Sequence, residues 1–218
     1  MKAIKGIGAM PAVVSQSPLT AKPGKPGTYK IVKAAAGPET GKRVIDLGFS
    51  NYYKTSKDLR MKEGSIIEAA FAVPEAGSAP SDKISISKRT PEDLFTYRAW
   101  VNRILDGDTI EAVIDLGFGI RSVQTLRLRS IDAPELVTAD GMEAKKALEQ
   151  MLNIADSVEG IGDRKSNTKQ KASVLIKTVK SDKYDRYLVD IFVTDKDGED
   201  QYLNNLLLEQ GYAVRVSE

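Results

Sequence analysis

Residues 101–110 read VNRILDGDTI, and this stretch decides the fold of the C-terminal half of the chain. Strand-forming residues lie on both sides of the DGD triplet at residues 106–108, where Asp and Gly supply the backbone freedom that a tight turn requires. The stretch therefore predicts a β-hairpin, with one strand over residues 97–104 and its partner over residues 109–115. Taken alone, the triplet indicates no more than this turn.

The segments downstream of the hairpin predict a small barrel. Leu and Arg alternate in the run LRLR, which predicts a strand over residues 124–131 with one apolar and one basic face. Apolar residues recur at helical spacing over residues 141–152 and predict a helix. Two more strands, at 173–180 and 187–194, precede a short helix over 202–210. This order is typical of a mainly β protein, a five-stranded β-barrel with helices packed outside it.

The N-terminal part of the chain has a different character. Residues 1–27 include the run AKPGKPG and are predicted to be a flexible segment or linker. Four β-type runs follow, and we interpret residues 28–94 as a small β-rich domain of unknown function that precedes a domain over residues 95–218. Residues 1–97 carry 15 basic and 9 acidic residues, whereas residues 98–218 carry 17 and 21. This split is compatible with attraction of a polyanion by the first part and cation binding by the second, or with two solvated surfaces of unlike composition.

The chain has 218 residues and contains no His and no Cys. Their absence excludes Ser-His-Asp and Cys-His catalysis, disulfides, and zinc or haem sites that depend on these ligands. Acid–base chemistry must therefore come from carboxylates, Lys, Arg, Tyr or metal-bound water. Any metal must accept oxygen ligands, which favours calcium, magnesium or manganese.

The location of the protein is weakly indicated by its sequence. No run of 18 or more apolar residues occurs, so no membrane span is predicted. Residues 1–17 are somewhat similar to a signal peptide, but Pro and Gly interrupt their apolar core.

Four separated motifs occur in an order that is specific for one family. In addition to VNRILDGDTI they are LRLRSIDAPE, DKYDRYLVDIFV and LNNLLLEQGYA, with the helical segment GMEAKKALEQML between the second and the third. Residues from about 96 to 216 thereby resemble the thermonuclease, or staphylococcal nuclease-like, family. The resemblance implies an OB-fold barrel that carries a calcium-dependent phosphodiesterase, while residues 1–95 lie outside it.

The resemblance also implies a metal site. Asp108 and Asp132 would hold Ca²⁺ together with the backbone carbonyl of Ala133, and Asp106 would lie in or near the outer shell. Carboxylate and carbonyl oxygens are the ligands that calcium prefers in proteins, and water can complete the coordination.

The resemblance assigns the remaining residues to the substrate. Arg127 and Arg186 would flank the phosphate, which suits a planar guanidinium that stays charged at any working pH. Glu135 would orient or deprotonate the attacking water, and Lys183 and Tyr184 match positions that contact the phosphate of the nucleotide. The expected reaction is hydrolysis of DNA or RNA with weak sequence preference, leaving a 3′-phosphate. Such an enzyme is hazardous inside its own cell, and we therefore favour a secreted or extracytoplasmic location over a cytoplasmic one.

One departure and one alternative remain. Asp185 stands where the family usually has Gly, and it adds negative charge beside a phosphate-binding arginine. The alternative function is a catalytically weak or inactive OB-fold module that binds nucleic acid or a protein partner. We expect a monomer, with no protein partner identified by the sequence.

Overall fold

The computed structural model describes residues 17–54, 61–70, 83–156, 173–181, 186–195 and 198–216. Its first unit is a five-stranded antiparallel sheet. The strands are β1 (Thr28–Lys33), β2 (Arg43–Gly48), β3 (Asn51–Tyr53), β4 (Ile66–Ala70) and β5 (Lys83–Ile86). They pair in the order β3-β2-β1-β4-β5. The β-rich N-terminal region predicted from the sequence is therefore confirmed.

The second unit is a closed β-barrel. Its strands are β6 (Thr96–Asp106), β7 (Thr109–Gly117), β8 (Ile120–Leu128), β10 (Ser173–Ser181) and β11 (Tyr187–Thr194). They pair in the order β10-β6-β7-β8-β11, and a further pairing of β10 with β11 closes the barrel. The contact between β8 and β11 is parallel and the others are antiparallel. This arrangement confirms the predicted five-stranded OB-fold barrel.

Short strands and two helices surround the barrel. They are β9 (Ile131–Asp132), α1 (Ala139–Asp156), β12 (Asp200–Tyr202), α2 (Leu203–Glu209) and β13 (Val214–Arg215). Strand β13 pairs with β9, so the last described segment returns to the strand that follows β8. None of these three short strands was predicted, because two or three residues are too few to show a period in the sequence. None of the helices described is long and apolar enough to cross a membrane.

The alternation predicted for the barrel strands places their apolar residues inside. Along β7, Ile110 and Ile114 are completely buried, and along β8 Leu126 and Leu128 are buried while Arg127 points outward. Helix α1 covers the barrel with its apolar stripe, whose Leu148 is completely buried. The periodicity of the sequence therefore positions both the core and the basic face of β8.

The N-terminal sheet packs directly on the barrel, and the two share one hydrophobic core. The hydroxyl of Tyr29 donates a hydrogen bond of 2.9 Å to the carbonyl of Leu116, and that of Tyr97 donates one of 2.8 Å to the carbonyl of Leu47. Each bond joins one unit to the other across a buried contact. The division into domains at residues 27 and 94 stays a prediction.

Residues 17–27, which the sequence predicts as part of a flexible linker, lie along the barrel. The amide of Leu19 donates to Oδ1 of Asn205 at 2.7 Å, and the amide of Gly24 donates to Oγ1 of Thr96 at 3.0 Å. Leu19 is buried. Residues 1–16 of the same predicted segment lie outside the described residues, as does the loop expected over 157–171.

Candidate functional site

The turn between β6 and β7 is held by a hydrogen bond within the turn and by close packing. Oδ1 of Asp106 accepts the amide N–H of Asp108 at 3.0 Å. A Cβ atom on Gly107 would lie 2.7 Å from Cβ of Ala133 and 2.8 Å from Cβ of Ala144. Only glycine allows the turn to approach helix α1 and the segment after β9 this closely. The triplet that the sequence indicated as a turn is thus fixed against two other elements.

Asp108 lies at the centre of the site and is buried. Its Oδ1 accepts hydrogen bonds from Oγ1 of Thr109 at 2.9 Å and from Nη1 of Arg127 at 2.8 Å. Its Oδ2 accepts the amide N–H of Ala133 at 3.0 Å. One carboxylate therefore joins the hairpin turn, strand β8 and the loop after β9.

Arg127 connects this buried carboxylate to a second, exposed one. Its position on β8 pairs with Thr109 on β7, which places its side chain beside the turn. Nη1 binds Asp108, and Nη2 donates a hydrogen bond to Oδ1 of Asp132. Two carboxylates thus converge on one guanidinium, a geometry that a planar fork of N–H donors favours.

Burial changes the protonation of the central acid. It raises the pKa of Asp108 to about 6, because the charged form loses its solvation, and the neighbouring Asp106 acts in the same direction. The N–H of Ala133, the charge of Arg127 and the hydroxyl of Thr109 lower the pKa and offset part of this effect. Burial therefore outweighs these contacts, and the charged form of Asp108 is less favoured than in water.

The loop after β9 presents the next two predicted residues. Asp132 ends β9, where it pairs with Val214 of β13, and the amide of Val216 donates to the carbonyl of Ser130 at 3.1 Å. Beyond it, the backbone carbonyl of Glu135 accepts hydrogen bonds from the amide and the hydroxyl of Thr138, at 2.9 and 2.7 Å. These contacts fix the course of the loop on both sides of Asp132.

The side chain of Glu135 is directed to solvent. The residue is exposed, and its carboxylate forms no hydrogen bond or ion pair with any residue that the structure describes. A solvent-exposed carboxylate on the loop that follows Asp132 is able to bind water.

Arg186 directly precedes β11 and is half-buried. Strand β11 runs parallel to β8, with Leu188 paired to Arg127, so the start of β11 lies beside the strand that carries Arg127. Lys183, Tyr184 and Asp185, for which the sequence predicts a substrate contact or a departure from the family, lie outside the described residues. The structure thus brings Asp106, Asp108, Arg127, Asp132 and Ala133 together.

Arg129, two residues after Arg127, forms an ion pair outside this site. Arg129 forms a bidentate ion pair with the buried Asp190, with both N···O distances at 2.9 Å. The hydroxyl of Tyr202 donates to Asp190 at 2.7 Å, and burial, with the charge of Asp190, raises the pKa of Tyr202 well above its usual value. Asn204 also joins the group by donating to the carbonyls of Arg129 and Val189. The basic face of the LRLR run is the one feature of the sequence that indicates this network.

The site offers carboxylate and carbonyl oxygens, the type of ligand that hard divalent cations prefer. Among the described parts of the chain, no three His, Cys, Asp or Glu side chains converge on one point. Two carboxylates, those of Asp108 and Asp132, do converge on a shared cationic group, and the backbone of Ala133 adjoins them. Such a set fits calcium if backbone carbonyls and water supply the remaining ligands.

A comparison with protein families gives an independent result. Residues 125–218 match the family model described as staphylococcal nuclease homologue. The match contains Arg127, Asp132, Glu135 and Arg186, whereas Asp106 and Asp108 lie before its first residue. No curated protein matches the chain.

Proposed function

Since residues 125–218 carry a domain of the staphylococcal nuclease homologue family, we propose that the protein is a calcium-dependent nuclease. It hydrolyses phosphodiester bonds of DNA and RNA with little sequence preference and leaves 3′-phosphate ends. One observation supports the proposal above all others. Two carboxylates converge on Arg127 beside the β6–β7 turn of the barrel, so groups that suit a cation and a group that suits a phosphate share one place.

The acids hold the metal in this proposal. Asp108 and Asp132 bind Ca²⁺ through their carboxylates, Ala133 through its carbonyl oxygen, and Asp106 through water. When bound, calcium neutralises charge on the phosphate and makes a water molecule more acidic. Oδ1 of Asp106 also holds the backbone of Asp108 in place by accepting its amide N–H.

The arginines bind the phosphate. The hydrogen bonds of Arg127 to Asp108 and Asp132 hold its guanidinium in a defined plane, and further N–H groups of the same plane are directed to phosphate oxygens. Arg186 contacts the phosphate from the start of the neighbouring strand, and Lys183 and Tyr184 supply further contacts to the phosphate of the nucleotide. Donors placed before the reaction stabilise the negative charge that develops in the transition state.

Glu135 completes the site. Its exposed carboxylate orients the attacking water, or accepts its proton, on the side of the loop that faces solvent. The leaving group is then the 5′ oxygen. Because the contacts are to the backbone of the nucleic acid, the rate is expected to fall steeply as the salt concentration rises.

The test is digestion of single- and double-stranded DNA by the full chain, in calcium and in a chelator. Asp108→Asn and Glu135→Gln are expected to abolish cleavage. Asp200→Asn is the matched control, because Asp200 is an exposed acid that binds the hydroxyl of Thr194 outside the site. Cleavage that is independent of calcium would contradict the proposal. Binding of DNA without any product would favour the inactive OB-fold module instead.

A further inference from the structure

The turn between β2 and β3 has an unusual backbone. Phe49 has φ of 51° and Ser50 has φ of 58°, a left-handed conformation that bulky side chains rarely adopt. Strained residues of this kind persist where the surrounding structure determines them, and they are common at functional sites. The turn belongs to the N-terminal sheet, outside the segment that matches the family model.

Phe49 reaches from this turn into the barrel. Its ring centroid lies 4.4 Å from that of Tyr187 and 5.6 Å from that of Tyr97, and the residue is buried. The carbonyl of Leu47 accepts the hydroxyl of Tyr97, and a Cβ on Gly48 would lie 2.2 Å from that hydroxyl oxygen. The turn is therefore locked on both sides of the phenyl ring.

The partner of Phe49 lies at the start of a strand that the proposed site needs. Tyr187 is the first residue of β11, directly after Arg186, and it pairs with Ser181 of β10. On its other side Tyr187 pairs with Leu126 of β8, one residue before Arg127. The position of Tyr187 thus sets the distance between the backbones that carry the two arginines.

We propose that Phe49 is a positioning residue for the nuclease site: by packing on Tyr187 it fixes the start of β11 and thereby the position of Arg186 relative to Arg127. The inference rests on the proposed function, because its consequence is a defined place for a phosphate-binding arginine. It also gives the N-terminal sheet a role in the reaction. Phe49 does not touch the substrate and acts only through Tyr187 and Arg186.

A matched control lies at the end of β7 that is far from Asp108. Tyr53, also in the N-terminal sheet, stacks on Phe118 with centroids 4.2 Å apart, in the turn between β7 and β8. Strand β7 separates this contact from Asp108 by its whole length, roughly 25 Å at the usual rise per residue. Tyr53→Ala removes the same kind of contact between sheet and barrel without affecting β11.

The experiment compares the full chain with Phe49→Ala, Phe49→Leu and Tyr53→Ala by calcium-dependent cleavage of an oligonucleotide. Phe49→Ala is expected to lower kcat about tenfold with KM nearly unchanged, because a small displacement of a catalytic group costs rate. Phe49→Leu keeps apolar volume at the contact and is expected to restore most of kcat. Tyr53→Ala is expected to lower the melting temperature but to leave kcat unchanged.

A double-mutant cycle shows whether Phe49 acts through Arg186. In the Arg186→Ala background, Phe49→Ala is expected to cause no further loss of kcat. Equal fractional losses in both backgrounds, or equal losses from Phe49→Ala and Tyr53→Ala, would overturn the inference.

Hydrogen exchange provides a readout that is independent of activity. Phe49→Ala is expected to increase exchange in a peptide that spans Arg186 and the start of β11, relative to Tyr53→Ala. If the wild-type chain does not cleave, the proposed function fails. Hydrogen exchange alone then tests whether Phe49 positions Arg186. Unchanged exchange in Phe49→Ala would overturn the inference in that case too.

Discussion

Asp108 and Arg127 form an ion pair with Nη1 of the arginine 2.8 Å from Oδ1 of the aspartate. The side chain of Asp108 is 4% exposed and that of Arg127 is 20% exposed. A buried carboxylate that loses its partner is strongly unfavourable. The same contact therefore contributes to the stability of the barrel and orients the proposed phosphate-binding group.

Replacement of Arg127 by lysine tests the second of these roles. Arg127→Lys is expected to lower the cleavage rate about 100-fold or more, because an ammonium group cannot provide the planar pair of N–H donors. The free energy of unfolding is expected to fall by about 1 kcal/mol, as one hydrogen bond is lost. Cleavage assays and denaturant unfolding measure the two effects. Arg121→Lys is the control, since Arg121 is on the same strand but lies over the ring of Trp100. A rate near that of the wild type would remove Arg127 from the proposed mechanism.

The second prediction concerns the close approach of Gly107. In Gly107→Ala the added methyl group would overlap Cβ of Ala133 and Cβ of Ala144, and neither atom can rotate away. We expect a loss of about 2 kcal/mol in the free energy of unfolding, together with reduced cleavage because Asp108 is displaced. Gly119→Asn is the control, because Gly119 has open space around it and asparagine tolerates its positive φ. Equal stability of the two variants would show that the turn does not need this packing.

The third prediction separates the two arginines of the LRLR run. Arg129→Ala leaves the buried Asp190 without its bidentate partner, so the free energy of unfolding is expected to fall by about 3 kcal/mol. The cleavage rate, measured well below the lowered melting temperature, is expected to stay within about twofold of the wild type, because the network lies outside the proposed site. A large loss of rate in the folded variant would mean that Arg129 also contacts substrate.

The fourth prediction is a pH dependence. Burial, with a smaller contribution from the charge of Asp46, raises the pKa of Tyr97 well above 10. Above pH 10 the unfolded chain releases this proton while the folded chain keeps it, so the free energy of unfolding falls as the pH rises. Tyr97→Phe is expected to make this fall less steep, and an unchanged slope in this variant would contradict the prediction. Unfolding in denaturant from pH 8 to 11 measures the slopes.

Much of the barrel could be predicted from sequence. Each of its strands buries one face, so apolar and polar residues alternate along the strand. The hairpin around the DGD triplet and the strand that carries Arg127 lie where the alternation places them. Helix α1 likewise covers the barrel with its predicted stripe, although it begins at Ala139 rather than at Gly141.

Other features are set by contacts that a single sequence does not reveal. The turn at Phe49 divides a run that reads as one continuous strand, since aromatic residues normally favour strands over left-handed turns. The packing of residues 17–27 along the barrel depends on distant partners such as Asn205 and Thr96. The carboxylate of Asp108 accepts hydrogen bonds from both Arg127 and Ala133, and the spacing of the motifs does not indicate this.

The pairing of β9 with β13 also determines when the site can be completed during protein synthesis. The strand that ends in Asp132 has its described partner in Val214 and Arg215, more than eighty positions later in the chain. Because a ribosome releases the chain from its N-terminus, the N-terminal sheet and the β6–β7 hairpin emerge long before this partner does. The loop that carries Asp132 and Glu135 therefore acquires its final support last, and an incomplete chain lacks an assembled site.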